Sequence, residues 1–232
     1  MMASVDIDYR KRFDDNPLSE VSATSFVLGG IFGFSAAISL TQQYKPIYLY
    51  AASVSLFHFL EYFMTSKFQP TKVTSDSFLL NNGLEYLLAH TLALLETFIE
   101  LYFFPNFKRS GHYVKIIGLC LVIFGQILRT LAMATSGENF SHIIEHSKKS
   151  SHVLVTSGIY GYFRHPSYVG FFYWAVGTQM LLLNPVISIL FIVLLYKFFS
   201  GRIRYEESTL VTFFGPKYIA YRKKVPVGIP FL

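Results

Sequence analysis

Six long apolar segments constrain the fold of this chain more than any other feature. A helix needs about 20 apolar residues to cross a hydrocarbon core of roughly 30 Å. The first four segments approach that length, whereas the last two reach only some 22–24 Å at about 1.5 Å per residue. The sequence therefore predicts an all-α, polytopic membrane protein with spans at 22–40, 46–65, 84–104, 112–134, 168–183 and 186–200.

The turn between the last two spans and the positions of the basic residues predict the topology. Asn184 and Pro185 are typical of a turn, so the last two spans are expected to form one tight helical hairpin. Six spans put both termini on one face. That face carries fourteen Lys and Arg residues, against three on the other face. This asymmetry predicts that both termini and the loop 135–167 are cytosolic.

Composition excludes several classes of function. The net charge is +6, but the basic residues lie mainly in the connections between spans, so no nucleic-acid partner is expected. Cys120 is the only cysteine and lies in an apolar segment, which excludes a disulfide framework or a cysteine zinc site. The sequence has no phosphate-binding glycine loop, no zinc-protease motif and no hydrolase nucleophile motif. We expect no metal.

The block 164–171 opens the final hairpin and concentrates polar residues at its mouth. Pro166 suits a first helical position, which places Arg164 and His165 beside a helix N-terminus that attracts anions. A capped helix end with an interfacial arginine and histidine would look the same. Charge set beside a membrane hairpin is nevertheless a candidate site.

Arg202 and Glu206 follow the last span at a spacing of four, on one face of a continuing helix. That spacing is most often a solvated ion pair. The functional alternative is a divided site, in which Arg202 holds a carboxylate through paired N–H bonds and Glu206 faces a cationic or hydroxyl-rich cofactor.

Together these features resemble a known family. Arg164–Phe171, followed after an apolar hairpin by Glu206 and Glu207, resembles the signature of isoprenylcysteine carboxyl methyltransferases; phospholipid N-methyltransferases share a looser form. The length and six-span layout are similar to the fungal form, that of the yeast mating-pheromone methyltransferase. Further segments that narrow the match are 78–83, 139–142, 177–179, 183–185 and 227–231.

The resemblance implies methyl transfer from S-adenosylmethionine to the C-terminal carboxylate of a prenylated cysteine, the last step of CaaX-protein processing. It implies an endoplasmic reticulum membrane enzyme whose substrates are prenylated proteins, such as small GTPases and lipopeptide pheromones. Arg202 matches the position that meets the substrate carboxylate. Position 145 is often an amide in relatives but is Glu here. The implied cofactor-binding residues are Glu145, His152, Val153, Leu154, Val155, Tyr160, His165, Pro166, Ser167, Tyr168 and Glu206.

On this interpretation the chain divides into three parts: an N-terminal tail at 1–20, a four-helix transmembrane region at 21–135 and a catalytic region at 136–232. The acceptor needs no general base, because an α-carboxyl with a pKa near 3.5 is already ionised at pH 7. We therefore expect Arg202 and Glu206 to be the catalytic residues. The residues 171–174 could line a route for the prenyl chain or simply pack in the bilayer.

Three alternatives remain open. A phospholipid N-methyltransferase would use the same donor but would have no need for Arg202. A non-catalytic receptor for prenylated proteins would keep an apolar cavity and lose the cofactor residues. A sterol reductase-like protein would need a nicotinamide site, and no added basic site for a 2′-phosphate is present.

The spans also contain an arginine, two histidines and a pair of glycines that need an explanation. Arg129 could belong to the pocket or to an interhelical ion pair. His58 and His90 are expected to be hydrogen-bonded core residues. Gly29 and Gly33 permit close helix approach, either within the chain or in a homodimer. Membrane lipid is an expected partner of the whole apolar surface.

Overall fold

The computed structural model is all-α among the residues that it describes, which are 16–42, 45–142, 144, 148 and 152–232. Short 3₁₀ turns at Ser75–Phe78, Gly137–Asn139 and Gly158–Gly161 connect the helices. The helices are α1 (Leu18–Thr41), α2 (Pro46–Phe68), α3 (Leu84–Phe103), α4 (Pro105–Arg109), α5 (His112–Ser136), α6 (Pro166–Leu182), α7 (Pro185–Phe214) and α8 (Pro216–Lys224).

Five of these helices, α1, α2, α3, α5 and α7, are long and apolar enough to cross a membrane. The remaining predicted span corresponds to α6, which has 17 residues, 13 of them buried. Helix α6 is therefore packed against protein along most of its length. The multi-pass, all-α prediction is confirmed.

Helices α5 and α6 form the central contact of the bundle through glycines. A Cβ on Gly125 would lie 2.4 Å from the carbonyl oxygen of Gly170, and one on Gly118 would lie 2.8 Å from that of Gly177. Two glycine pairs, seven residues apart on each helix, thus bring the backbones into direct contact. This contact sets the position of α6, and so of its first residues, along the axis of the bundle.

The glycines that the sequence singled out behave differently. A Cβ added at Gly29 or Gly33 would meet nothing within 4 Å, and both glycines are exposed on α1. The alternative in which they pack within the chain is therefore wrong for the described residues, and the face of α1 that they form stays open.

The hairpin turn between α6 and α7 is tight, as predicted. Helix α6 ends at Leu182, Leu183 adopts a left-handed conformation with φ of 58°, and α7 begins at Pro185. Helix α7 then continues for 30 residues to Phe214. The last span and the predicted helical extension that carries Arg202 and Glu206 are thus one uninterrupted helix.

The far side of this turn contains a buried cation. Lys108 is 0% exposed, and its ammonium lies 2.9 Å from the carbonyl oxygens of Leu182 and Leu183 and 2.7 Å from Asn184 Oδ1. Glu100 Oε2 lies 2.7 Å away and balances the charge. Lys108 is one of the three basic residues that the sequence analysis counted on the opposite face. In the structure it neutralises the carbonyl end of α6.

Candidate active site

The cavity that contains most of the implied cofactor residues, the main cavity, opens at the other mouth of the hairpin, where α6 begins and the extension of α7 passes beside it. All the residues that line it belong to the predicted catalytic region 136–232. Residues 152–156 cross one wall without helical structure, and Val153 donates its backbone N–H to Asn139 Oδ1 at 2.9 Å. Asn139 thereby holds the segment that the sequence predicted to bind the cofactor.

Arg202 and Glu206 are joined through a third side chain. The Nε of Arg202 donates to the hydroxyl of Tyr168 at 2.8 Å, and that hydroxyl donates to Glu206 Oε2 at 2.7 Å. The Arg202 guanidinium also lies 5.4 Å from the centre of the Tyr168 ring. Arg202 and Glu206 of α7 are therefore connected through Tyr168 of α6 rather than by a direct ion pair on the surface.

The second carboxylate of the acidic pair has a structural role. Glu207 is buried, and its Oε1 accepts from Arg164 Nε at 2.8 Å and lies 3.2 Å from His165 Nε2. The His165 ring stacks on Tyr168, with the centres of the rings 5.6 Å apart and the planes 3° apart. Glu207 and the two residues before Pro166 thus position Tyr168 at the cavity wall.

Beneath the cavity, Arg129 forms an ion pair between helices, which is one of the two roles that the sequence left open for it. Its Nη2 donates to Glu61 Oε2 at 2.8 Å, and its Nε donates to Oε1 of the same carboxylate. Its Nη1 donates to Ser167 Oγ at 3.0 Å, and Ser167 lines the cavity. The pair lies buried between α2 and α5 and supports the start of α6.

Burial keeps two groups near the site in their neutral forms. The pKa of His142 is lowered to about 4, mainly by desolvation and also by the nearby Arg129 and Arg202, while Glu61 opposes them. Burial also raises the pKa of Tyr160. Glu206 and Arg164 line the cavity itself, and Arg202 reaches the cavity wall through Tyr168.

Comparison with known proteins identifies the family. A family model for isoprenylcysteine carboxyl methyltransferases (ICMT) matches residues 116–212. The protein-S-isoprenylcysteine O-methyltransferase of Saccharomyces cerevisiae is 50% identical over 222 residues, which cover 94% of this chain and 93% of the relative. The chain belongs to this family.

Two further comparisons agree with that assignment. The human protein-S-isoprenylcysteine O-methyltransferase is 41% identical over 93% of this chain and 76% of its own length. The solved structure of the eukaryotic intramembrane Ras methyltransferase ICMT matches with a TM-score of 0.88 and 38% identity, over 96% of this chain and 81% of that chain. The predicted family, fold and enzyme class are confirmed, and the phospholipid N-methyltransferase alternative is not supported.

The structure brings together nearly all of the residues that the ICMT resemblance implied. Arg202 contacts the cavity wall through Tyr168, and His152 lines an adjoining cavity that shares Val153 and Glu206. Glu145 lies outside the described residues. Those that line the main cavity are Val153, Leu154, Val155, Tyr160, His165, Pro166, Ser167, Tyr168 and Glu206.

Several lining residues were missed by sequence reasoning. Leu210 and Phe214 follow Glu206 at intervals of four on α7, and this helical spacing could have revealed them. Tyr218 and Tyr221 come from α8 and had no local signal. The others are Ser136, Asn139, Phe140 and Ser141. The last three had been noted only as part of the family segment 139–142.

Proposed function

We propose that this chain transfers a methyl group from S-adenosylmethionine to the C-terminal carboxylate of a prenylated cysteine. The observation that carries the proposal is the bridge Arg202–Tyr168–Glu206. Through Tyr168 it joins a permanent cation to a carboxylate on the cavity wall, where an anionic acceptor and a cationic donor must meet.

The residues present fit that donor. S-adenosylmethionine, when bound, supplies a methyl group on a positively charged sulfonium, which is activated for in-line displacement. Glu206 attracts a cation, and the ring of Tyr160, which lines the same cavity, can contact one. The non-helical segment 152–155 offers backbone groups for the polar parts of the cofactor.

Arg202 is suited to hold the acceptor. A guanidinium has five N–H donors, and two of them are engaged, by Tyr168 and by the carbonyl oxygen of His142. The remaining three can donate to a carboxylate, including the two-point geometry that arginine favours. Holding the carboxylate out of water raises its reactivity, and the paired N–H bonds offset part of the dehydration cost.

The membrane setting follows from the prenyl group. A chain of 15 or 20 carbons partitions into lipid at about 0.8 kcal/mol per CH₂-sized group, so a site at the mouth of a membrane hairpin lets the lipid stay in an apolar medium. Trp174 and Phe171 pack against the buried Phe57, which supports core packing for these two residues rather than a prenyl route.

The decisive experiment incubates the reconstituted protein with labelled S-adenosylmethionine and N-acetyl-S-farnesylcysteine. A base-labile methyl ester is expected on the acceptor. Label on phosphatidylethanolamine instead would overturn the acceptor assignment. No label on any acceptor, with intact folding, would overturn the proposed function as a whole.

We extend the proposal to location and assembly. Both termini and the cavity face the cytosol from the endoplasmic reticulum membrane, which fits prenylated substrates such as small GTPases or lipopeptide pheromones. The open face of α1 at Gly29 and Gly33 suits contact with a second copy. In mass photometry, Gly29→Leu with Gly33→Leu should convert dimers to monomers; an unchanged mass would exclude this interface.

A further inference from the structure

A basic surface beside the cavity has no part in the proposed chemistry. Helix α8 exposes Lys217, Arg222, Lys223 and Lys224 and carries no acidic residue. A groove lined by Lys148, Lys217 and Lys224 runs along it and also reaches the implied cofactor segment at His152–Leu154. Basic residues in a last helical turn complement the helix dipole, but Lys217 lies in the first turn, where the dipole disfavours a cation. Helix electrostatics alone therefore do not account for this cluster.

The chain that follows α8 returns to the level at which α6 enters the membrane. Arg164 donates its backbone N–H to the carbonyl oxygen of Pro226 at 2.9 Å and its Nη1 to that of Val225 at 2.5 Å. Because Arg164 lies two residues before α6, these bonds set the end of α8 beside the membrane-proximal start of that helix. This places the exposed Lys223 and Lys224 at the level where headgroups are expected, whereas Arg222 Nη1 lies 3.6 Å from Glu207 Oε2.

The last residues run deeper. Ile229 is buried in the same cluster as Val169 and Phe199 of the hairpin. Tyr196, inside the predicted span 186–200, donates its hydroxyl to the carbonyl oxygen of Phe231 at 3.2 Å. The Phe231 side chain is 95% exposed there. A fully exposed phenylalanine at the depth of a membrane span has acyl chains as its natural surroundings.

We propose that residues 216–232, the C-terminal clasp, bind anionic phospholipids of the leaflet at which the cavity opens. The basic side chains bind the phosphate-bearing headgroups, and Phe231 inserts among the acyl chains of the same lipids. A combination of juxtamembrane basic residues with an apolar anchor is the pattern that gives peripheral segments stable affinity for an anionic leaflet.

The clasp is connected to the cavity through the buried face of α8. Tyr218 and Tyr221 of that face line the cavity, and Tyr221 donates its hydroxyl to the carbonyl oxygen of Tyr160 at 2.6 Å. Lipids that hold the outer face of α8 therefore also hold a cavity wall. This coupling rests on the proposed function, and it predicts that the donor binds more tightly when the leaflet is anionic.

The test compares two double variants of the full chain in nanodiscs of phosphatidylcholine, with or without phosphatidylserine. Lys223→Gln with Lys224→Gln removes two exposed charges of the clasp. Lys45→Gln with Arg109→Gln removes the same charge from exposed positions on the opposite face, where the nanodisc offers the same lipids. The readout is the phosphatidylserine retained after extraction into neutral detergent, measured by native mass spectrometry.

The clasp variant should retain phosphatidylserine with about fivefold lower affinity for each basic residue removed, whereas the opposite-face variant should match the parent. Phe231→Ser should also weaken retention. Equal loss in both double variants, or in neither, would overturn the proposal. Displacement of the lipid by millimolar inorganic phosphate would show a site for free phosphate instead, and would overturn it as well.

Donor affinity measured in the same nanodiscs tests the coupling separately. Tighter binding of S-adenosylmethionine in the phosphatidylserine discs is expected for the parent and not for the clasp variant. Lipid retention is read without any methyl transfer, so a failure of the proposed reaction leaves the test of the clasp intact.

Discussion

The two ends of the α6–α7 hairpin both contain a basic residue, but they use it in opposite ways. At the turn, Lys108 is fully buried and its three donors meet Leu182 O, Leu183 O and Asn184 Oδ1. At the mouth, Arg202 is half-buried, and two of its five donors bond described residues of the protein. A cation with every donor engaged stabilises the fold, whereas one with donors to spare can bind a ligand.

The largest effect should come from removing the buried Lys108 ammonium at the hairpin turn. Lys108→Met leaves the half-buried Glu100 and several buried oxygens without their cation, and removing one partner of a buried pair costs about 3–5 kcal/mol. Chemical unfolding in nanodiscs should show that loss. Arg109→Met, its exposed neighbour, is the control and should change stability little. Equal stability of both variants would mean that Lys108 does not hold the turn.

The next largest effect should be a loss of activity without a loss of stability, at Arg202 in the mouth of the hairpin. Arg202→Lys keeps the charge but loses the planar fork, and methyl transfer should fall at least about 100-fold, near 2.7 kcal/mol of transition-state stabilisation. The unfolding midpoint should stay close to that of the parent. Arg204→Lys, at an arginine that bonds Ser200 away from the cavity, should retain activity. Comparable losses in both variants would count against the assigned role of Arg202.

A smaller effect should follow from removing the bridge between Arg202 and Glu206. Tyr168→Phe deletes the hydroxyl that accepts from one and donates to the other, so each charged group loses a fixed orientation. We expect about tenfold lower kcat/KM, the equivalent of one to two hydrogen bonds. Tyr173→Phe on the same helix serves as the control. Unchanged kinetics for Tyr168→Phe would show that the bridge is dispensable.

The smallest predicted effect is a pH dependence of stability at the open end. Burial holds the pKa of His142 at about 4, below the value near 6.5 of an unfolded chain. Between these values the unfolded state binds more protons, so stability is complete above about pH 6.5 and is lost as the pH falls toward 4. Thermal unfolding at pH 5 should show a loss of about 1–2 kcal/mol relative to pH 7.5. In His142→Asn this dependence should flatten; an unchanged slope would assign it to other groups.

Local patterns in the sequence predicted the parts of the site that lie close together along the chain. Pro166 starts α6, Arg202 and Glu206 share one face of α7, and Asn184 sits at the turn, all as expected from helical spacing and turn chemistry. The bridging role of Tyr168 was not predictable, because its partners lie 34 and 38 residues away on another helix. Tyr218 and Tyr221 of α8 were not predicted either, because they are also distant in the sequence from the rest of the site.

What the sequence by itself determined is the membrane class, the final hairpin and the segments from which the site is assembled, since hydropathy and helical periodicity act over a few turns. The tertiary structure alone decided which charged side chains have all their hydrogen-bond donors engaged and which keep donors for a ligand. Lys108 reaches acceptors 74 to 76 residues further along the chain, and the close contact of α5 with α6 depends on glycine pairs that meet only when the bundle is packed. The energy of a buried charge depends on every partner within a few ångströms, and only the packed structure sets those distances.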